Sequence, residues 1–382
     1  MNKKRILIYG WFGERNIGDE LILDASINLI KRNIPNAEIN VMGTKPNICK
    51  ATHKGVNRFS TYIDKRPKEI LRTFKYGFTN VVKNILFNDV LVIASGGALS
   101  DWHNESTVTL FSLIDIFSFF KKPIYMLDVG AGPITREDSY IKFRKKLSKV
   151  ELITVRDNSS YKELKKIGLN NVVLSRDVVY SYWESIRQMV QNIDTEQGSV
   201  GLVIASVCYE TEDVYVEYKR QINELMKKLV EKGKKVYLIP FLYEEDKVLF
   251  SQLNIPNEVE ILYDKDDLFS AIKYIAKVDV VISVRYHALV LGAILKKRII
   301  PFVHHSKNGD FADDFDLLKY AEYIGDGKNW RRSQISANKI VTDIDKMLHD
   351  YEYFENIDDK LNKKINLSVP EKKMINNILL KK

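Results

Sequence analysis

Strand-length apolar runs, each closed by a turn carrying glycine or charge and followed by a helical pattern, recur through most of this chain. That rhythm narrows the folds open to it. Arg5–Tyr9 and Glu38–Met42 read as strands with a helix between them. Asp89–Ala94 ends in Ser95-Gly96-Gly97, Pro123–Asp128 in Gly130-Ala131-Gly132-Pro133, Leu152–Val155 in Arg156-Asp157, and Asn171–Leu174 near Asp177. Strands alternating with helices predict a doubly wound parallel sheet. The polar interval Gln188–Ser199 breaks the pattern. It restarts with Val200–Ser206, Lys235–Pro240, Val259–Leu262, Val278–Val284 and Arg298–Phe302 as strands. At 382 residues the chain exceeds what one core usually serves. Two α/β domains are expected, residues 1–187 and 188–382, with the lysine-rich Asp358–Lys382 packing back on the first.

The halves echo each other: "NDVLVIASGGALSD" and "VDVVISVRYHALVLGAI" each run from an acid through a β-branched strand to a polar turn before a helix. Two such domains facing each other make a cleft. Ligands of open α/β sheets collect at strand carboxyl ends, so the turns are where chemistry is expected.

The first turn, "GWFGERNIGDE", places Gly10, Gly13 and Gly18 outside G-x-G-x-x-G spacing, and no acid follows the second strand to hold a ribose. That disfavours a dinucleotide. Asn16, Asp19 and the following helix N-terminus suit a polar or anionic group; a turn whose Asp19 caps the helix is the alternative. In "SGGALSDWHNES", Gly96 and Gly97 admit close backbone approach, and Asp101 and His103 are acid–base candidates, against a plain turn with a helix cap. Arg156 ends a strand and offers a fork for carboxylate or phosphate, against a surface pair with Asp157. "SVRYHALVLGAI" sets Arg285 and His287 at the end of an apolar strand, a cation and a titratable imidazole in one turn; a structural histidine capping the turn is the alternative. In "HHSKNGDFADDFD", read as a polar loop, Lys307 is a phosphate candidate or a solvated lysine. His304 and His305, adjacent in sequence, are poor chelators, and no metal-ligand spacing occurs, so no metal site is expected.

The net charge is +9, which favours anionic partners. No nucleic-acid module is recognisable, so nucleic acid is not expected. Cys49 and Cys208 alone fit a reducing cytoplasm. No signal peptide is read, and Val108–Phe120, interrupted by Asp115, is shorter than the roughly 20 residues that span a bilayer. A cytoplasmic protein is expected. Between residues 65 and 86, Ile70, Leu71, Phe74, Phe78, Val81 and Val82 recur at helical period amid lysines and arginines. That is the pattern of a peripheral contact with the inner face of the plasma membrane, or of an ordinary helix packed on a core.

Together, in order, these blocks resemble the polysaccharide pyruvyl transferase family. Gly10–Gly13 with Asn16–Glu20 resembles its first-strand block, Ser95–Asp101 its glycine-rich turn, and Gly130–Pro133 its G-x-G-P. Val155–Asp157 with Ser160 resembles V-R-D-x-x-S, and Ser283–Ala288 resembles S-x-R-[LY]-H-A, with Lys307 following. Ser95 and Ala98 depart from the pattern. The resemblance implies two Rossmann-like doubly wound domains facing a cleft, similar to GT-B glycosyltransferases. It implies transfer of the pyruvyl unit of phosphoenolpyruvate, as co-substrate, to a pair of sugar hydroxyls on a glycan or its lipid-linked precursor, with no metal or redox cofactor. The residues it implies for the donor are Arg156, Ser283, Arg285 and Lys307. His287 is the implied acid, aided by Arg285, and Asp19 or Asp101 handles the hydroxyls. Gly13, Asn16, Gly18, Gly96, Gly97 and His103 lie on the acceptor side. A nucleotide-sugar glycosyltransferase and a non-enzymatic basic membrane-surface protein are the competing readings.

Overall fold

A computed structural model of the chain describes residues 3–61, 78–97, 99–101, 104–206, 212–324, 335–350, 352–366 and 368–380. The chain divides into two units, Met1–Tyr182 with Ile365–Lys382, and Trp183–Lys364. The expected boundary at 187/188 falls inside the helix Trp183–Met189, which a break there would cut. Ile365–Lys382 belongs to the first unit, so the second ends at Lys364.

The first unit holds β1 (Arg5–Tyr9), β2 (Glu38–Met42), β3 (Arg58–Ser60), β4 (Val90–Ile93), β5 (Ile124–Val129), β6 (Leu152–Val155) and β7 (Val172–Leu174). They form one sheet in the order β3-β2-β1-β4-β5-β6-β7. The second holds β8 (Glu196–Val203), β9 (Val236–Leu238), β10 (Val259–Ile261), β11 (Val278–Ser283), β12 (Arg298–Val303) and β13 (Glu322–Tyr323), ordered β10-β9-β8-β11-β12-β13. Counted within its own unit, each sheet begins 3-2-1-4-5-6, the doubly wound order whose direction reverses between the first and fourth strands. The reversals lie between β1 and β4 and between β8 and β11. Helices cover both faces of a parallel sheet, so central strands are buried on both sides and read as unbroken apolar runs. β4 (VLVI) and β11 (VDVVIS) are buried at every residue.

The short edge elements differ from the sequence reading. β3, β13 and the helix Pro46–Thr52 carry no period long enough to announce them. β8 begins at Glu196, inside the interval read as a break, because Glu196 pairs with Val278 and accepts the Tyr237 hydroxyl at 2.6 Å. Of the basic amphipathic stretch, Phe78–Leu86 is helical, and residues 62–77 lie outside the described residues.

One buried charge cluster organises the first unit. Arg176, just after β7, binds Glu371 of the helix Val369–Leu380 bidentately, Nε to Oε1 at 2.6 Å and Nη2 to Oε2 at 2.8 Å. It also donates to the Ile365 carbonyl. Asp128 sits near Glu371 at φ 49°. The register of β5 on β6 shifts there, between Met126 and Val129, a bulge that redirects the following turn. Burial first, then the Glu371 charge, raises the Asp128 pKa well above the usual carboxylate value.

Two outcomes are expected in urea unfolding. Glu371→Ala strands a buried guanidinium and lowers stability by about 3–5 kcal/mol. Asp128 takes up a proton on folding, so its contribution to stability declines as pH climbs above its unfolded pKa. Asp128→Asn removes that requirement, and its advantage over the parent protein grows between pH 4 and pH 7.

Candidate active site

In the first unit the turns after β1 and β4 flank the sheet's reversal point. The β1 turn is held from beneath. The Gly13 N–H donates to Glu20 Oε1 at 2.7 Å, and Glu20 is fully buried in the helix Ile17–Asn33. His53 joins the other Glu20 oxygen, Nε2 to Oε2 at 2.7 Å, and reaches Asp24 from Nδ1 at 2.6 Å. Burial disfavours charge on His53, but the hydrogen bonds it donates to Asp24 and Glu20 outweigh it and lift its pKa to about 9. Gly13 adopts φ 92°, and a Cβ there would lie 2.6 Å from the Lys45 carbonyl oxygen, so the position requires glycine. Asn16 caps the helix, its side chain accepting from the N–H of buried Gly18. Asp19, in the first helical turn, is half-buried.

The β4 and β5 turns lock together. Gly132 N–H donates to the Leu99 carbonyl at 2.7 Å. A Cβ on Gly130 would lie 2.3 Å from the Gly96 carbonyl oxygen, whereas one on Gly97 would meet nothing within 4 Å. Gly97 thus faces open space. Asp101 differs from its expected role as a base. One carboxylate oxygen accepts the Thr135 and Arg136 N–H groups, each at 2.8 Å, ahead of the helix Glu137–Leu147. Burial works against the charged form, but these bonds prevail and hold its pKa below the usual range. Asp101 is a clamp between turns, already saturated as an acceptor. His103 lies outside the described residues.

Arg156, read as a fork for carboxylate or phosphate or as a surface partner of Asp157, does pair with Asp157, but in the interior. Its side chain is 2% exposed, with Nε 3.2 Å from Asp157 Oδ2 and Nη1 3.4 Å from Asp177 Oδ2. Asp157 in turn caps the helix Asn158–Lys166. Two buried carboxylates neutralise the guanidinium, which props the β5, β6 and β7 turns.

The second unit gathers the cations. Arg285 caps the helix Tyr286–Ile294 directly after β11. Its Nη2 binds Asp246 Oδ1 at 2.5 Å, and Asp246 is fixed by the Phe241 and Leu242 N–H groups, each 2.9 Å from Oδ2. Arg285 Nε is buried with no hydrogen-bond partner among the described residues, while the side chain is 23% exposed. His287, the second residue of that helix, is half-buried and edge-on to Tyr286. Ser283, expected to touch the donor, is fully buried; its hydroxyl receives the Arg285 N–H at 2.9 Å and donates to the Arg285 carbonyl at 3.0 Å. It shapes the turn instead.

Residues 306–314, read as loop, are a helix capped by His305, with Lys307 in its first turn. Buried Asn308 ties the strands together, donating to the carbonyls of Val284 at 2.9 Å and Phe302 at 3.0 Å. The His304 pKa falls well below its ordinary value, through burial and then the charges of Lys307, His305 and Arg285. β11 and β12 are paired neighbours, so the turns after them lie side by side, and the N-termini of the two following helices add partial positive charge there. It suits a small ligand carrying more than one negative charge.

The family model of polysaccharide pyruvyl transferases matches residues 16–306. The chain belongs to the polysaccharide pyruvyl transferase family. Curated protein sequences give no match. Among solved structures the chain is similar to a glycosyltransferase from Rickettsia africae (13% identity, 100% of both chains, TM-score 0.60). It is also similar to a UDP-GlcNAc 2-epimerase from Neisseria meningitidis bound to UDP-GlcNAc (13% identity, 99% of this chain and 100% of that one, TM-score 0.56). A third is a putative UDP-N-acetylglucosamine 2-epimerase from Listeria monocytogenes (10% identity, 99% and 95%, TM-score 0.60). At such identities these likenesses establish the fold, two parallel-sheet α/β domains of the GT-B kind.

Sequence reasoning missed Glu20 and His53 beneath the first turn, Asp246 behind Arg285, and Asn308. Glu20 had a signal: an acid at helical spacing from Ile17 and Asp24, on a side that carries apolar residues. Because the folded His53 pKa is raised, its stabilisation is complete below pH 6.5 and lost as pH rises through about 9. Denaturant titrations at pH 6 and pH 9.5 should show that decline, and His53→Gln should flatten this part of the profile while lowering stability at pH 6.

Proposed function

We propose that the protein transfers the pyruvyl unit of phosphoenolpyruvate to two hydroxyls of a glycan acceptor, forming a pyruvate ketal. What supports this reading is that the neighbouring strands β11 and β12 end in turns carrying a half-engaged Arg285 with His287, and Lys307. Phosphoenolpyruvate bears a carboxylate and a phosphate, and fixed cations on rigid helix starts meet both without reorganisation.

The step balances as follows. His287, as imidazolium, gives a proton to the methylene carbon while a sugar hydroxyl bonds to the central carbon and releases its own proton. Asp19 is the candidate to receive that proton. The phosphate then leaves with the electrons of its C–O bond, Arg285 and Lys307 offsetting the departing charge. The second hydroxyl closes the ketal, and its proton goes to phosphate. The exchange is one donor and one diol for one ketal and one inorganic phosphate, with His287, Asp19 and the departing phosphate handling the protons and no metal or redox cofactor invoked. Gly97, with open space where a side chain would stand, and the β1 turn around Gly13 and Asn16 are proposed for the acceptor. Asp246 holds Arg285 in place rather than touching substrate.

A nucleotide-sugar donor is the second reading, favoured by one observation: Tyr243 and Tyr263, after β9 and β10, stack at 3.8 Å and 4°, a platform of the sort that bases share. Thermal-shift titration with phosphoenolpyruvate against UDP- and GDP-sugars separates the two.

With isotope-labelled phosphoenolpyruvate and candidate glycans, read by mass spectrometry and phosphate release, His287→Gln should lower kcat by about 10²–10⁴-fold with unfolding unchanged. Arg285→Ala should chiefly raise KM for phosphoenolpyruvate. Near-normal turnover by His287→Gln removes the imidazole from the step, and stabilisation by UDP-sugars alone replaces the donor.

A further inference from the structure

At the amino ends of the strands in the first unit, away from the glycine turns, large apolar side chains stand in water. Leu86 and Phe87 precede β4, Phe119 and Phe120 precede β5, and Leu379 and Leu380 end the helix Val369–Leu380; Phe119 and Leu380 are each 80% exposed. These are one surface. The rings of Phe119 and Phe120 meet edge to face at 5.3 Å. Lys122 Nζ donates to the carbonyls of Ile85 at 3.2 Å and Leu86 at 2.6 Å, tying the first pair to the second. Phe120 and Leu379 both line a cleft of about 1100 Å³.

The rest of that cleft sets its electrostatics. Lys3, Lys4, Arg5, Lys121 and Lys122 line it, and Asp89 is the one carboxylate among its lining residues. Asp89 is neutralised by Arg5, Nη2 to Oδ1 at 2.7 Å and Nε to Oδ2 at 3.2 Å. Lys3 also pairs with Glu38 at 3.2 Å and Lys122 lies over the Phe120 ring; the lysines surround apolar side chains that the described residues leave largely in water. Contiguous exposed apolar surface marks an interaction site. An apolar centre within a basic rim matches a bilayer carrying anionic headgroups, where acyl chains accept the rings and phosphates meet the ammonium groups. No helix among the described residues is long and apolar enough to cross a membrane, so the contact lies in the interface plane.

We propose that this face docks on an anionic phospholipid bilayer, with Phe119, Phe120 and Leu380 entering the acyl boundary and Lys3, Lys4 and Lys121 meeting headgroup phosphates. The proposal does not rest on the donor chemistry above, since none of these residues belongs to that site.

Co-sedimentation tests it with vesicles of phosphatidylcholine alone and of phosphatidylcholine mixed with phosphatidylglycerol. The full chain should partition onto the mixed vesicles, and less so as salt rises. The double variant Phe119→Ser with Leu380→Ser should bind about tenfold more weakly. Lys3→Glu with Lys121→Glu should lose the preference for phosphatidylglycerol by a similar factor of about ten. All four side chains are exposed, so thermal unfolding should match the parent protein and rule out misfolding as the cause. Absence of binding, equal binding to both vesicle types, or parent-like partitioning of the apolar double variant would each overturn the proposal. Self-association abolished by that variant, without vesicle binding, would instead give the face to a second copy of the chain.

Discussion

Every strand pairing within the two sheets is parallel, and the placement of the chemistry depends on that. Parallel pairing sends all carboxyl ends of a sheet to one edge, and the reversal of winding opens a gap in the overlying helices at that edge. Gly10–Asp19 and Ser95–Asp101 are brought together by this arrangement although some eighty positions separate their strands. The turns bearing Arg285 and Lys307 follow neighbouring strands likewise, because β11 pairs with β12.

Buried charge then separates scaffold from site. Arg156 and Arg176 are matched by carboxylates on their own unit and nearly excluded from water; such groups fix turns and have little left to offer a ligand. Arg285 is only partly matched. Asp246 engages one nitrogen, Nε has no acceptor among the described residues, and solvent reaches the side chain. A desolvated donor lacking an acceptor is unfavourable in isolation, and an incoming anion relieves that cost. His53 shows the opposite arrangement. Its charge is locked between Glu20 and Asp24, so it supports a turn without joining in the chemistry.

The fold was legible because central parallel strands are buried on both faces and write themselves as apolar runs, as in Val90–Ile93 and Val278–Ser283. Edge strands of two or three residues, such as Glu322–Tyr323, leave no such trace. At the site, residue type and strand-end position marked Arg285 and His287. They also marked Arg156, Ser283 and Asp101, whose side chains are taken up by protein partners: Asp157 and Asp177, the Arg285 backbone two positions on, and the Thr135–Arg136 turn. No local pattern distinguishes an arginine waiting for phosphate from one facing a carboxylate twenty positions away. The helix Ser306–Asp314 escaped because its polar, glycine-bearing sequence resembles a loop, and the histidine that caps it is an uncommon cap.

The strands of the first unit run from the phenylalanine-tipped, lysine-lined end to the glycine turns, and β5 alone spans six residues. At about 3.3 Å per residue the two ends stand roughly 20 Å apart. Under the docking proposed above, with that end on a leaflet and the acceptor at the glycine turns, the sheet would act as a ruler: a lone sugar at headgroup level would fall short of the turns, and a chain of several sugars would reach them. Acceptor length, rather than sugar identity alone, becomes a quantity the architecture can measure.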